Sequence, residues 1–186
     1  MTSDPAVVLD FWFGTDPSIR RAEWFEKSAE FDAACAAFLP AVRAARAQDR
    51  TEWGETAKGA LALILLLDQF PRNLFRGSAE AFAADGFARI AAHRAIASGF
   101  DTGMTPMERM FLYLPFEHSE AMTDQDLSVR LFDTLRDVLG GGTVDYAGRH
   151  RDVIRRFGRF PHRNAVLGRR NTPEEDEYLA QPGAGF

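Results

Sequence analysis

Cysteine is almost absent from this sequence. Cys35 stands alone in the small-residue run AACAA, so no internal disulfide can form and a buried bystander thiol is expected. Long apolar runs are missing as well. The longest, Ala60 to Leu67, is eight residues, against the roughly 20 that a membrane-spanning helix needs, so no membrane partner is expected. The opening MTSDPAVVLDFWFG carries an acid where an export signal needs bases, and a reducing cytoplasm is the expected compartment. No stretch alternates with period two and no Asn-Gly hairpin signal occurs, which argues against a sheet. No Walker loop, GxGxxG, GxSxG or Cys–His nucleophile pair is present, so no cofactor is expected. Ser119 beside His118 does not make a nucleophile pair, because sequence neighbours point their side chains apart. His118 and Glu120 are two residues apart, and His150 and His162 are twelve apart across a proline. Neither spacing is a metal-ligand pattern, so no metal is expected.

What remains is ample for a core. The chain has 186 residues, 46% hydrophobic and 26% charged, and reads as one soluble helical domain over residues 1–186. Its net charge of −5 is unevenly spread. Between Asp145 and Arg170 stand eight arginines (149, 151, 155, 156, 159, 163, 169 and 170) against Asp145 and Asp152, a local +6. Such a segment can bind nucleic acid. The acidic remainder favours a different use, in which acids elsewhere in the fold neutralise it, and nucleic acid is not the expected partner.

Almost every segment carries a helix signal. Asp4-Pro5 caps a short helix through Phe13. Phe31, Cys35, Phe38, Leu39 and Val42 recur at helical spacing, with Pro40 kinking or restarting the helix. Ala57 to Asp68 is apolar nearly all round, a central buried helix. Ser78 is placed to cap an alanine-rich helix that Gly99 ends. Thr105-Pro106 opens another, expected to stop before Pro115. Asp124 to Leu139 follows, closed by the three glycines at 140–142, then Asp145 to Phe157. Last, Thr172-Pro173-Glu174-Glu175 is a capping box. The predicted class is all-α, a stack of antiparallel helix pairs joined by short loops.

Two stretches stand out, LLLDQFPRNLFRG from Leu65 and RRFGRFPHRNAVLGRR from Arg155. Each passes through Phe-Pro and then Arg-Asn. Proline removes a donor and pushes its predecessor out of the helical region, so both are predicted to break the chain. Phe70 and Phe160 would anchor the turns in the core. Arg72-Asn73 and Arg163-Asn164 would then sit at fixed exits, and a guanidinium held there needs carboxylates or a bound anion. The expected arrangement is one polar centre in which Asp68, His118 and Glu120 balance Arg72, Arg159 and Arg163, with Asn73 and Asn164 beside them. Its first expected role is to bind a small anionic ligand or an acidic peptide. An alternative is an enzyme with Asp68, His118 or Glu120 as general acid or base. Nucleic-acid binding by residues 145–170 ranks third, and the sequence leaves the oligomeric state open.

These strings, with LPFEHSE at Leu114–Glu120 and HRDVIRRFGRFPHRNAVLGRRNTPEEDEYL, resemble a bacterial family designated domain of unknown function 924. The likeness covers essentially the whole chain, including the early Trp24-Phe25 and the closing Gly185-Phe186. It implies an all-α, tetratricopeptide-like right-handed superhelix and carries no settled activity, so no residue role transfers. Where that family often reads PLMHSE, this chain has Pro115-Phe116-Glu117-His118-Ser119-Glu120, and the carboxylate of Glu117 makes that corner more acidic.

Overall fold

The computed structural model describes residues 4–185, and every regular element among them is helical, with no strand. No helix among them is long and apolar enough to cross a membrane. The chain divides into two compact units. One takes the residues up to Arg76 together with Glu80–Pro115, and the other takes Gly77–Ala79 with the residues from Phe116 onward.

In the first unit α1 (Pro5–Phe13) opens as the sequence predicts, with the Asp4 carboxylate accepting from Ala6 N–H at 2.9 Å and Pro5 in the first turn. Ser28 caps α2 (Ala29–Cys35), and the chain restarts at Pro40 as α3 (Leu39–Arg46). Cys35 is fully buried, and burial pushes its thiol up to about 12, so it is inert at neutral pH. The central helix α4 (Ala57–Leu74) is buried from Gly59 to Pro71 and packs against α1, α2 and α3. Gly59 is needed there because a Cβ would lie 2.2 Å from the Trp53 carbonyl oxygen. Phe70 anchors α4 among Trp12, Phe11 and Phe38, with ring centroids 4.9–5.8 Å apart.

Three expectations are corrected between α4 and the residues around Pro115. Pro71 does not end the helix, which runs on for three residues, and Pro115 likewise lies inside α6 (Pro106–Glu117). Each proline sits in the last turn or so of its helix. The interior-proline cost of about 3 kcal/mol is outweighed by the burial of Phe70, Pro71, Pro115 and Phe116. The helix expected from Ser78 starts instead at Asp85, as α5 (Asp85–Ala97), after a tight turn at Ala79–Ala81. Burial of Ala81 and Ala84 outweighs the capping preference of Ser78. Gly99, at φ +70°, ends α5 as predicted. Thr105 and Glu108 exchange backbone and side-chain hydrogen bonds at the start of α6.

In the second unit the helix expected over Asp124–Leu139 is two, α7 (Met122–Asp133) and α8 (Arg136–Leu139). The Thr134 hydroxyl donates to the Leu131 carbonyl at 2.6 Å, and Leu135 is fully buried at the bend. Of the three glycines only Gly140, at φ +79°, separates elements. Gly141 and Gly142 are already the first turn of α9 (Gly141–Phe157), which packs along α7. Gly158 closes α9 in the left-handed conformation. Phe160-Pro161 then breaks the chain as expected, with Phe160 extended and Pro161 opening a single tight turn to Arg163. Val153, Ile154 and Phe160 form a core joined by Met122, Phe157 and Tyr178. The Thr172–Glu175 capping box opens α10 (Pro173–Leu179).

Candidate functional site

The two stretches, Phe70-Pro71-Arg72-Asn73 and Phe160-Pro161-His162-Arg163-Asn164, are therefore not the same device. The first is a helix that tolerates its proline, and the second is a true break. Their arginines are held accordingly.

Arg72, on the last turn of α4, donates through Nη1 and Nη2 to the two oxygens of Asp85, both at 3.1 Å. Its Nη1 also lies 3.2 Å from Asp68 Oδ1 and donates to the Asp68 carbonyl. Burial works against this charge, but Asp68 and Asp85 outweigh it and raise the pKa above its ordinary value. Asn73 donates to the Gln69 carbonyl at 3.2 Å and accepts from Arg76 at 3.1 Å. The Asn73 contacts stay within the helix end, one reaching back four residues and the other forward three, whereas the Asp85 contact joins α4 to the start of α5.

In the second unit the candidate residues gather around Phe160. The Phe160 N–H donates to Glu120 Oε1 at 2.8 Å, and Arg169 Nη2 donates to the Phe160 carbonyl at 3.1 Å. Arg169 also grips Glu120 through both terminal nitrogens, at 2.8 and 3.0 Å. Burial would raise the Glu120 pKa. The bonds from Arg169 and from Phe160 N–H prevail and hold it low. The bidentate partner of Glu120 is thus Arg169, which sequence reasoning counted only as part of the basic run. Arg163 is buried, stacks its guanidinium 4.5 Å from the Phe160 ring centroid, and donates to the His118 carbonyl at 3.1 Å.

Arg159 turns to Glu175, which accepts from its Nε and Nη2 at 2.6 and 2.7 Å. Glu175 also accepts from Thr172 N–H and, at 3.3 Å, from Asn164 Nδ2. The Arg159 bond first, helped by Thr172 N–H, outweighs burial and holds the Glu175 carboxyl at about 2. Asn164 is fully buried and donates to Asn171 as well, at 2.8 Å. The sequence shows Glu175 as a capping residue, and its second job as the partner of Arg159 has no local signal.

Three imidazoles complete the corner. The His150 ring lies 6.5 Å from His118 and 5.6 Å from Phe160, and His162 lies 5.5 Å from Phe160 on the next turn. His150 Nδ1 is 2.9 Å from the Tyr146 carbonyl and 3.4 Å from Glu117 Oε1, both acceptors, so Nδ1 carries the proton of the neutral ring. Burial first, with His118, Arg163 and His162 adding to it and the Tyr146 carbonyl opposing, pushes His150 down to about 3. Burial and Arg163 push His162 down to about 4, with Glu120 opposing. The backbone presenting His118 is braced by buried Gln125, whose Nε2 donates to the Glu117 and Ser119 carbonyls, each at 2.7 Å. Among the described residues no group of three or more His, Cys, Asp or Glu is arranged to hold a metal.

The basic run is largely neutralised within this unit. Arg151 faces Asp126, Arg155 faces Asp152 and Arg156 faces Glu174, beside the Arg159–Glu175 and Arg169–Glu120 pairs.

Among curated proteins no relative matches the chain. A solved structure of a protein of unknown function from Agrobacterium tumefaciens is similar to it. That protein is 44% identical and superposes with a TM-score of 0.85, over 95% of this chain and 96% of that one. Residues 8–183 match the family model described as "Bacterial protein of unknown function (DUF924)", nearly the whole chain, and the protein belongs to that family.

Proposed function

We propose that this chain is a binding protein for a small anion, held where His118, His162 and Arg163 converge around Phe160. The observation that carries the reading is the gathering at Phe160 of a buried guanidinium, Arg163, and two part-exposed imidazoles, His118 and His162. A guanidinium and imidazole N–H groups are the donors with which small anions pair. His118 and His162 are part-exposed while Phe160 and Arg163 are buried, so an anion would meet imidazole edges first, above a fixed floor. Glu120, Arg159 and Asn164 serve this reading as frame, holding the turn that carries Arg163. Asp68, Arg72 and Asn73 enter it only as the fastening of the end of α4. A cytoplasmic location belongs to the same reading.

The acid–base reading has less support. A carboxylate gripped by Arg169 and a backbone N–H, as Glu120 is, has little proton affinity near neutral pH. Nucleic-acid binding loses support because most of the basic run already faces carboxylates.

Thermal denaturation in rising sodium sulfate, with sodium chloride at equal ionic strength as control, tests the proposal. A ligand at a hundred times its Kd adds about 2.7 kcal/mol, several degrees for a domain of this size. Sulfate-specific stabilisation that is lost in His162→Ala and Arg163→Lys is expected, with Arg151→Met as the control. Equal melting in sulfate and chloride would overturn the reading.

A further inference from the structure

His162 is placed unlike an ordinary surface imidazole. It follows Pro161 in the single tight turn after α9, its ring lies 5.5 Å from that of Phe160, and Gly185 passes so close that a Cβ there would stand 3.2 Å from His162 Cβ. The ring is therefore confined while part of it stays open to water. The groups acting on it come from each neighbouring segment: His118 and Glu120 from the loop after α6, Arg163 from its own turn, and Arg169 from the segment before α10. Behind Phe160, on α9, stands His150 with Glu117 and the Tyr146 carbonyl at its Nδ1.

We propose that anion binding at this corner is coupled to uptake of a proton by His162, so that the site holds its anion more tightly as the pH falls. The inference rests on the anion-binding reading and adds the means by which that site is regulated. Without an anion a second positive charge has little to recommend it. Arg163 and Arg169 repel it, and Glu120, an acid that favours it, is already engaged by Arg169 and Phe160 N–H. Burial and Arg163 accordingly keep the ring neutral, at about 4. An anion seated between His162 and Arg163 reverses the balance, because it places a negative charge beside the ring and gives the imidazolium a partner. By linkage, whatever the anion adds to proton affinity the proton adds to anion affinity. The His162 ring bonds the ligand as a charged donor when protonated, a stronger contact than a neutral N–H.

The test is calorimetric titration of the full chain with sodium sulfate in buffers of differing ionisation enthalpy, at about pH 6 and about pH 7.5. Uptake of about half a proton per sulfate is expected at the lower pH, with an affinity about twofold higher there than at the upper. His162→Gln should abolish both the buffer dependence and the pH dependence of whatever affinity remains. Sulfate binding with no buffer dependence overturns the coupling and leaves the anion site standing. Uptake that survives in His162→Gln overturns the assignment to His162. No sulfate heat and no sulfate-specific stabilisation at either pH overturns the anion site, and the coupling with it.

Discussion

Arg169 holds Glu120 through both terminal nitrogens, at 2.8 and 3.0 Å, and the pair closes on the Phe160 peptide from both sides. Glu120 accepts from its N–H and Arg169 donates to its carbonyl, so one ion pair satisfies the backbone of the residue at the chain break. Both side chains are part-exposed, at 24% and 30%, so water screens the pair. Glu120→Gln and Arg169→Met should each cost about 1–2 kcal/mol, below the 3–5 of a fully buried pair. Chemical denaturation of both single variants and the double variant checks this. A coupling near zero would mean that the two residues act separately.

The Arg159–Glu175 pair is expected to matter more. Glu175 is buried, receives both arms of Arg159, and also closes the capping box of α10. Glu175→Ala should cost about 2–3 kcal/mol, of which a lost cap accounts for about 1. Because its carboxyl is held at about 2, its contribution is complete above the ordinary carboxylate range and fades as the pH falls through that value.

The two prolines of the paired stretches should respond in opposite ways. Pro71→Ala restores a backbone donor within α4 at the price of a small cavity, so the melting temperature should hold or rise. Pro161 opens its turn after an extended Phe160, and replacing it frees the unfolded chain, so Pro161→Ala should lower stability by about 1 kcal/mol. Equal losses in parallel melts would contradict the distinction between a tolerated and a chain-breaking proline.

Acid should weaken the protein before its carboxylates titrate. His150 and His162 are held at about 3 and about 4 in the folded chain, below the ordinary imidazole value of about 6.5. A histidine whose folded pKa is depressed contributes full stability above its unfolded value and loses it as the pH falls toward the folded one. Each group should therefore remove about 1 kcal/mol per pH unit below about pH 6. His150→Gln should flatten the slope between about pH 6 and pH 5, a range in which the ion-paired carboxylates are still charged. A wild-type melting temperature that stays level across this range would contradict the assignment.

The helical class, the first helix with its Asp4 cap, the restart at Pro40 and the Thr172 capping box were legible because each rests on chemistry within four residues. Pro71 and Pro115 misled because a local rule met a tertiary one. The proline cost is local, but the burial that outweighs it comes from residues remote in sequence. Asp68, Arg72 and Asn73, and His118, Glu120, Arg159, Arg163 and Asn164, were expected at one polar centre from their residue types alone. The structure gives Arg72 the carboxylates Asp68 and Asp85, and it gives Glu120 a bidentate partner in Arg169. Partner choice was hidden because Glu120 and Arg169 are separated by 49 positions and Arg159 and Glu175 by 16, and no periodicity spans such gaps.

The anion site itself is tested most directly by diffraction from crystals grown in sodium selenate near neutral pH, with anomalous data collected at the selenium edge. The account predicts a selenium peak within about 4 Å of the Arg163 guanidinium and of the His118 or His162 ring, the reach of a charge-assisted hydrogen bond. A well-ordered Arg163–His118–His162 corner with no anomalous peak, in crystals whose selenate is bound elsewhere, would contradict it.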